Sequence, residues 1–334
     1  MLSSPGDPPQ PPPTPAGTSS REVLLVSKKS RLRLALENKN ARITALLAAN
    51  DPSVAPMQQA AIAHDHSVAV IDAALKAAGC TVQRIYRARL RSEDTRGRLI
   101  VCVGGDGTVL DASHRVLDDS VVLGVNSDPD RSIGFFCAAD AASFAEVLDD
   151  VLSRRLRPTA LQRLGGTIDG RPLPVPALNE LLICHKSPAS TSRYRVERHG
   201  SGEDHKSSGV YVSTAAGSTA AMCSAGGQVQ SLDDRRLQWR VRELLTLPAA
   251  AGAAVAFAHD AFFFEPHDTV TLTSRMREGR VWIDGPHVAV DLPLGARLEV
   301  HGDAPPLLLV VTPAMIRRRR LLSPGPGSTS LAGL

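Results

Sequence analysis

The chain reads as an α/β fold followed by a mainly β, sandwich-like second part, and three observations predict this. Short apolar strands alternate with helical periodicity from Glu22 to Arg154, the signature of a parallel sheet covered by helices. Beyond Pro158 the pattern changes to many short strands separated by turn pairs such as Asp169-Gly170, Glu278-Gly279 and Asp284-Gly285. With 334 residues, 43% of them hydrophobic and 22% charged, the chain can bury a full core and divide into two domains.

In order, the expected parts are a Pro-rich disordered extension over 1–20, a doubly wound α/β domain over 21–157, a mainly β domain over 158–316 and a basic, flexible tail over 317–334. Strands are expected at 23–27, 81–86, 99–103 and 121–125. Helical spacing runs through 32–49 and 57–78, again after Gly107, and through 141–154. In the second part a strand over 209–213 leads into a helical interruption over 217–226, and alternating runs over 269–273, 280–283, 297–301 and 307–311 close the sheets. No repeat of fixed period is present.

Composition narrows the function classes. A formal net charge of +4, with only 4% aromatics and no dense basic stripe, argues against a nucleic-acid partner. The five cysteines, at 80, 102, 137, 184 and 223, show no Cys-x-x-Cys spacing and mostly sit in apolar runs, so they read as buried thiols in a reducing compartment. The first twenty residues hold no Lys or Arg and resemble neither a signal nor a transit peptide. No apolar run has the length of a membrane span, so a cytoplasmic protein without a membrane partner is expected. Arg317 to Arg320 reads as a solvated chain end.

The most informative segment is Leu99-Ile100-Val101-Cys102-Val103-Gly104-Gly105-Asp106-Gly107-Thr108, where an apolar strand delivers one aspartate into a glycine loop. Helical spacing follows through Val109, Leu110, Ser113, Val116 and Leu117, which rules against Asp106-Gly107 as a plain hairpin turn. Glycines let backbone N–H groups approach a phosphate, and the positive end of the following helix favours its charge. A carboxylate there can accept a proton from an attacking hydroxyl or help hold a metal-bound phosphate. In an open sheet, the segment Asn126-Ser127-Asp128 would lie at the same crevice.

Two further segments carry polar groups. Ser213-Thr214-Ala215-Ala216-Gly217-Ser218-Thr219 is small and hydroxylated, which suits either a polar ligand or a tight strand-to-helix turn. Asn179-Glu180 interrupts an apolar strand, and an amide beside a carboxylate suits either a base edge with sugar hydroxyls or local capping. His64 and His66 read as solvated helix residues, since i, i+2 positions do not share a face. Arg131 could reach a phosphate or pair with a neighbouring aspartate, and Trp239 and Trp282 read as core or subunit contacts.

Together, in this order, the three segments resemble the NAD kinase family, which phosphorylates the 2′-hydroxyl of the adenosine ribose of NAD with ATP. The resemblance runs from about Glu22 to Val311. It implies that Asp106 is the general base, that Gly105 and Gly107 cradle phosphate oxygens, and that Asn179 and Glu180 hold the adenylate half. It further implies that Thr219, Ala220 and Ser224 line adenine and ribose and that Phe135, in Gly134-Phe135-Phe136, belongs to an apolar wall near the nucleotide. Asp284-Gly285 matches a late Asp-Gly of the family, and equally a hairpin turn.

The departures point to one branch. Most members have Asp at the position of Ser208, Pro-Thr or a similar pair at Ala215-Ala216, and Tyr at Ala221. Ser207-Ser208-Gly209, Gly124-Val125-Asn126-Ser127-Asp128-Pro129 and Asp303-Ala304-Pro305 look instead like the plant NADH kinase branch. A neutral Ser208 withdraws the attraction a carboxylate offers to oxidised nicotinamide, so a preference for NADH is expected. The resemblance implies Mg2+ arriving with ATP, without a dedicated metal cage, and a homodimer or homotetramer. The rival readings are a lipid kinase sharing the glycine loop and a catalytically silent NAD(H)-binding regulator.

Overall fold

The structure, a computed structural model, describes residues 21–246 and 257–322. The Pro-rich extension and residues 323–334 of the expected tail lie outside the described residues.

Four parallel strands form the first half: β1 (Glu22–Ser27), β2 (Thr81–Tyr86), β3 (Leu99–Gly104) and β4 (Val121–Asn126), in the order β2-β1-β3-β4. β3 is buried at every position, as a continuous apolar run covered on both faces requires. Around these strands lie α1 (Arg31–Glu37), α2 (Ala41–Ala48), α3 (Ala55–Ala77), α4 (Ser92–Thr95), α5 (Asp106–Ser113) and α6 (Phe144–Leu152), and β5 (Cys137–Asp140) pairs with the later part of β4. The helical spacing over 32–49 resolves into two helices. Lys39 takes a left-handed φ of 50°, and Asn40 caps α2 by accepting from the Ile43 amide at 3.1 Å.

The second half holds β6 (Pro158–Ile168), β7 (Arg171–Pro172), β8 (Glu180–His185), β9 (Ser192–Arg198), β10 (Ser201–Ser207), β11 (Gly209–Ser213), the short α7 (Ala221–Ser224) and β12 (Leu237–Arg242). Then come β13 (Ala261–Phe264), β14 (Val270–Ser274), β15 (Gly279–Ile283), β16 (Val288–Leu292), β17 (Arg297–Val310) and α8 (Pro313–Arg320). One antiparallel sheet runs β13-β12-β11-β8-β15-β16. It packs face to face with β9, β14 and β17 through Leu181, Ile183, Val212, Trp239, Val196, Leu272 and Val300, the arrangement of a β-sandwich. Trp239 is wholly buried there, whereas Trp282 is half-buried.

The runs expected over 297–301 and 307–311 are one strand. β17 has register shifts between His301 and Ala304 and between Ala304 and Leu307. Before the shifts it pairs with β14, and after them it pairs in parallel with the start of β4. A single sheet therefore runs through both halves. The helical interruption over 217–226 is a 3-10 turn at Ala216–Thr219 followed by α7. No helix among the described residues is long and apolar enough to cross a membrane.

Arg163, on β6, is fully buried where these parts meet. Its guanidinium donates to the carbonyls of Ser113 and Val116 at the C-terminal end of α5, at 2.8 and 2.9 Å, and to those of Pro305 and Pro306 in the bulged part of β17, at 2.5 and 3.5 Å. Burial lowers its pKa to about 10, so it remains charged and complements the negative end of the helix. Arg163→Ala leaves these carbonyls without a partner, and we expect a loss of about 3–5 kcal/mol in urea unfolding.

Candidate functional site

The glycine loop forms where β3 ends at Gly104 and α5 begins at Asp106, with Gly105 as N-cap. The Asp106 carboxylate is half-buried and fixed by two backbone amides, Phe136 N–H donating to Oδ1 at 2.7 Å and Phe135 N–H to Oδ2 at 3.0 Å. Those amides are aimed by a turn that only glycine makes readily, since Gly134 has a φ of 67°. Around it, the Asn126 amide donates to Ser132 O at 2.7 Å, and the Ser127 amide donates to Gly104 O at 2.7 Å. Gly105 is half-buried and Gly107 exposed, so backbone at the helix start stays open.

His64 corrects the sequence expectation. It is buried, and its ring joins two strand ends, Nε2 donating to Lys28 O at 2.9 Å while Nδ1 lies 3.0 Å from Ser127 Oγ. Burial lowers its pKa, which favours the neutral ring. The reading failed because it considered only the helix's own spacing and not the strand ends beneath it. His66 is exposed. Cations that sequence reasoning missed rim the loop. Arg87 donates to Gly107 O at 3.2 Å and pairs with Asp111 at 2.9 Å, and the Lys28 ammonium has its pKa lowered by burial and by Arg87. Their position just beyond the ends of β1 and β2 was the available signal. Arg131 instead pairs with Asp128 at 3.0 Å.

Asn179 and Glu180 are held by Asp284. The side chain of Asp284 is fully buried; Oδ1 accepts from Asn179 N–H at 2.7 Å and Glu180 N–H at 3.1 Å, and Oδ2 from Leu178 N–H at 2.8 Å. Oδ2 also accepts from His114 Nε2 at 2.8 Å, and His114 is the C-cap of α5, the helix that Asp106 opens. Asp284-Gly285 is thus both the β15–β16 turn and the clasp between the two motifs.

This arrangement leaves buried acceptors unused. Asn179 Oδ1 and Glu180 Oε2 are among the buried atoms without a protein partner, and such atoms call for water or a ligand. Burial, and then the Asp284 charge, push the Glu180 carboxyl up to about 8. Beside it opens a cavity of about 360 Å³ lined by Leu182, Tyr211, Ala221, Trp282 and Pro286. Larger hollows, of about 400 Å³ near Gln230 and about 480 Å³ between α3 and α6, are lined by none of the unpartnered atoms found among the described residues.

The small-residue loop spends most of its hydroxyls on backbone carbonyls, chiefly those of the Leu178–Asn179 segment. Thr214 Oγ1 donates to Leu178 O at 2.5 Å, Ser213 Oγ to Asn179 O at 3.2 Å and Ser218 Oγ to Ala215 O at 2.7 Å. Gly217 lies so close to Asn179 that a Cβ would overlap its backbone. Thr219 is buried, Ala220 half-buried and Ser224 exposed. Ser208 sits at the other end of β11, roughly 15 Å along the strand from the Ser213–Glu180 pairing. Phe135 is half-buried and Phe136 buried.

Arg317 to Arg320 is not wholly a solvated end. Arg319 is buried in α8 and donates to Ala216 O at 2.9 Å, Ala215 O at 2.5 Å, Thr219 Oγ1 at 3.1 Å, Ser218 Oγ at 3.2 Å and Gln230 O at 3.2 Å. Arg318 donates to Ile133 O at 3.2 Å and to Cys137 O, on the segment that carries the Asp106-binding amides. A run of four like charges hid two that point inward.

Comparison with known proteins agrees with this layout. Residues 16–156 match the family model described as the ATP-NAD kinase N-terminal domain. The chain is 37% identical over 241 residues to a probable NADH kinase of Oryza sativa subsp. japonica, covering 66% of this chain and 73% of that protein. It is also 37% identical over 231 residues to an NADH kinase of Arabidopsis thaliana, covering 63% of this chain and 71% of that one. Two solved structures share the fold. An NAD kinase from Archaeoglobus fulgidus in complex with ATP has a TM-score of 0.63 at 18% identity, covering 90% of this chain and 98% of that one. Yeast NADH kinase complexed with NADH has a TM-score of 0.64 at 17% identity, covering 94% and 90%.

Two outcomes follow from the geometry. A carboxyl raised from 4.5 to about 8 makes the folded chain bind more protons than the unfolded one, so its contribution opposes folding increasingly as pH rises through that window. Glu180→Gln should therefore be more stable than the parent at pH 8 by about 2–4 kcal/mol, with no difference below about pH 4.5, in paired urea melts. Arg319→Ala should lower stability by about 3–5 kcal/mol in urea unfolding, because the 215–219 loop loses its anchor and its carbonyls stay buried.

Proposed function

The chain belongs to the NAD kinase family, and on that premise we propose that it uses ATP to phosphorylate the 2′-hydroxyl of the adenosine ribose of NAD(H), favouring NADH. The observation that carries this reading is a carboxylate pinned by two amides at the mouth of a glycine loop, clasped through His114 and Asp284 to a pair of buried, unsatisfied acceptors.

In this reading the Asp106 carboxylate takes the ribose 2′-hydroxyl proton as that oxygen attacks the γ-phosphoryl group. Its two amide bonds fix its direction while leaving lone pairs free for the hydroxyl. Gly105 and Gly107 present open backbone to phosphate oxygens at the start of α5, and Lys28 and Arg87 offset negative charge at the same rim. Such a transfer depends mainly on positioning and electrostatics, which this rigid frame supplies. Asn179 Oδ1 and Glu180 Oε2 accept from amino or hydroxyl groups of the adenylate half, with Thr219, Ala220 and Ser224 bordering adenine and ribose and Phe135 forming part of an apolar wall.

We take the donor to be MgATP, the cation travelling on the phosphates. Among the described residues no group of three or more His, Cys, Asp or Glu gathers to hold a metal. Assembly as a homodimer or homotetramer in the cytoplasm completes the reading.

The test is formation of NADPH and NADP+ from matched NADH and NAD+ with ATP and purified protein. Faster NADPH formation supports the whole reading, and comparable or faster NADP+ formation removes the preference alone. Absence of both products brings forward a lipid kinase or a silent NAD(H)-binding regulator. Asp106→Asn should lower kcat by about 10²–10⁴-fold with the dinucleotide Kd changed little, and near-parental kcat would remove the base role.

A further inference from the structure

We propose that Arg318 is a positioning residue for phosphoryl transfer: from α8 it closes both ends of the turn that aims the two amides fixing Asp106. The inference rests on the kinase reading above and adds a group that acts on Asp106 through the backbone.

The turn needs support from outside itself. Between the end of β4 at Asn126 and the start of β5 at Cys137 the backbone forms no helix or strand, so no ladder holds it. At its centre is Gly134, of the residue type with the most backbone freedom, and the Ile133 side chain before it is 61% exposed. Yet the Phe135 and Phe136 amides meet the Asp106 carboxylate at 3.0 and 2.7 Å, distances that a small shift of the turn would spoil.

Two side chains grip this segment. Asn126 donates to Ser132 O at 2.7 Å from the strand side. From α8, Arg318 Nη1 donates to Ile133 O at 3.2 Å and Nη2 donates to Cys137 O, one carbonyl on each side of the aiming amides. Cys137 pairs with Gly124 of β4, so that end is anchored in the sheet, and the guanidinium carries the anchor across to the Ile133 end. A planar fork fixes the spacing of its two acceptors as well as their position, and its charge strengthens both bonds.

The helix is a firm base for the fork. Met315 is fully buried in the core of the first half, and Thr312 caps α8 by accepting from the Met315 amide at 3.4 Å. Successive residues leave a helix roughly 100° apart, so Arg319 beside Arg318 reaches a different segment, the 215–219 turn. One short helix thereby ties the Asp106-binding turn and the small-residue loop to a common base.

The experiment compares the parent with Arg318→Met, which keeps the stem and loses the donors, and Arg318→Lys, which donates without a planar fork. Arg317→Met, at the exposed neighbour, is the control. Steady-state turnover of NADH with ATP is measured beside deuterium exchange of the peptide over 133–137. Arg318→Met should lower kcat by about 10- to 100-fold with both KM values within about 2-fold, and should speed exchange in that peptide. Arg318→Lys should show the same changes at smaller size, which keeps the idea testable if the methionine variant fails to fold, and Arg317→Met should match the parent. Parental kcat and exchange in both Arg318 variants overturn the inference and leave the kinase reading standing. So does an equal effect of Arg317→Met, since net charge rather than two aimed donors would then be responsible. Exchange that rises throughout the chain overturns it too, as the mark of general loosening. A parent without turnover overturns the kinase reading, and the exchange comparison then decides by itself whether Arg318 holds the turn.

Discussion

The carboxylate of Asp284, fully buried, accepts from three successive amides of the Leu178–Glu180 segment and from the His114 imidazole. Charge-assisted bonds of this kind are stronger than neutral ones, and their donors come from parts of the chain more than a hundred residues from Asp284. The glycine loop and the strand end that carries Asn179 and Glu180 are thereby held to one frame. The same carboxylate adds to the burial that keeps a proton on Glu180, so the clasp also sets the electrostatics of the neighbouring cavity. A left-handed φ of 49° places Asp284 at its turn, a conformation that aspartate adopts more readily than most residues.

Much of the fold was legible because its signals are local. Each expected strand of the first half formed, since runs such as Leu99 to Val103 can only be buried on both faces. The glycine loop was legible for the same reason, as strand, loop and helix are contiguous. What stayed hidden were partners distant in sequence. Asp284-Gly285 read as a family motif or a hairpin and is both a turn and a clasp. His64 read as solvated because nothing in its own helix reveals that Lys28 O and Ser127 lie beneath it.

Two buried arginines show how this chain ends its secondary structure without water. Arg163 serves the carbonyls closing α5, and Arg319 serves those of the 215–219 turn. Each is planar and rich in donors, so a single side chain can satisfy several carbonyls that backbone geometry leaves open. Composition alone cannot distinguish such a residue from a surface cation. Arg317 and Arg320 are exposed while Arg319 between them is buried, a difference set by which side of one short helix each occupies.

The continuous sheet has a bearing on how the protein is made. β17 is the last strand among the described residues, yet it lies between β14 and β4 in the interior of the sheet rather than at its rim. While the chain emerges from the ribosome, the start of β4 therefore presents an unpaired edge until residues 308–309 arrive. The 215–219 turn likewise waits for Arg319, about a hundred residues further along the chain. A chain broken off before residue 308 would keep that edge open to pairing with another chain.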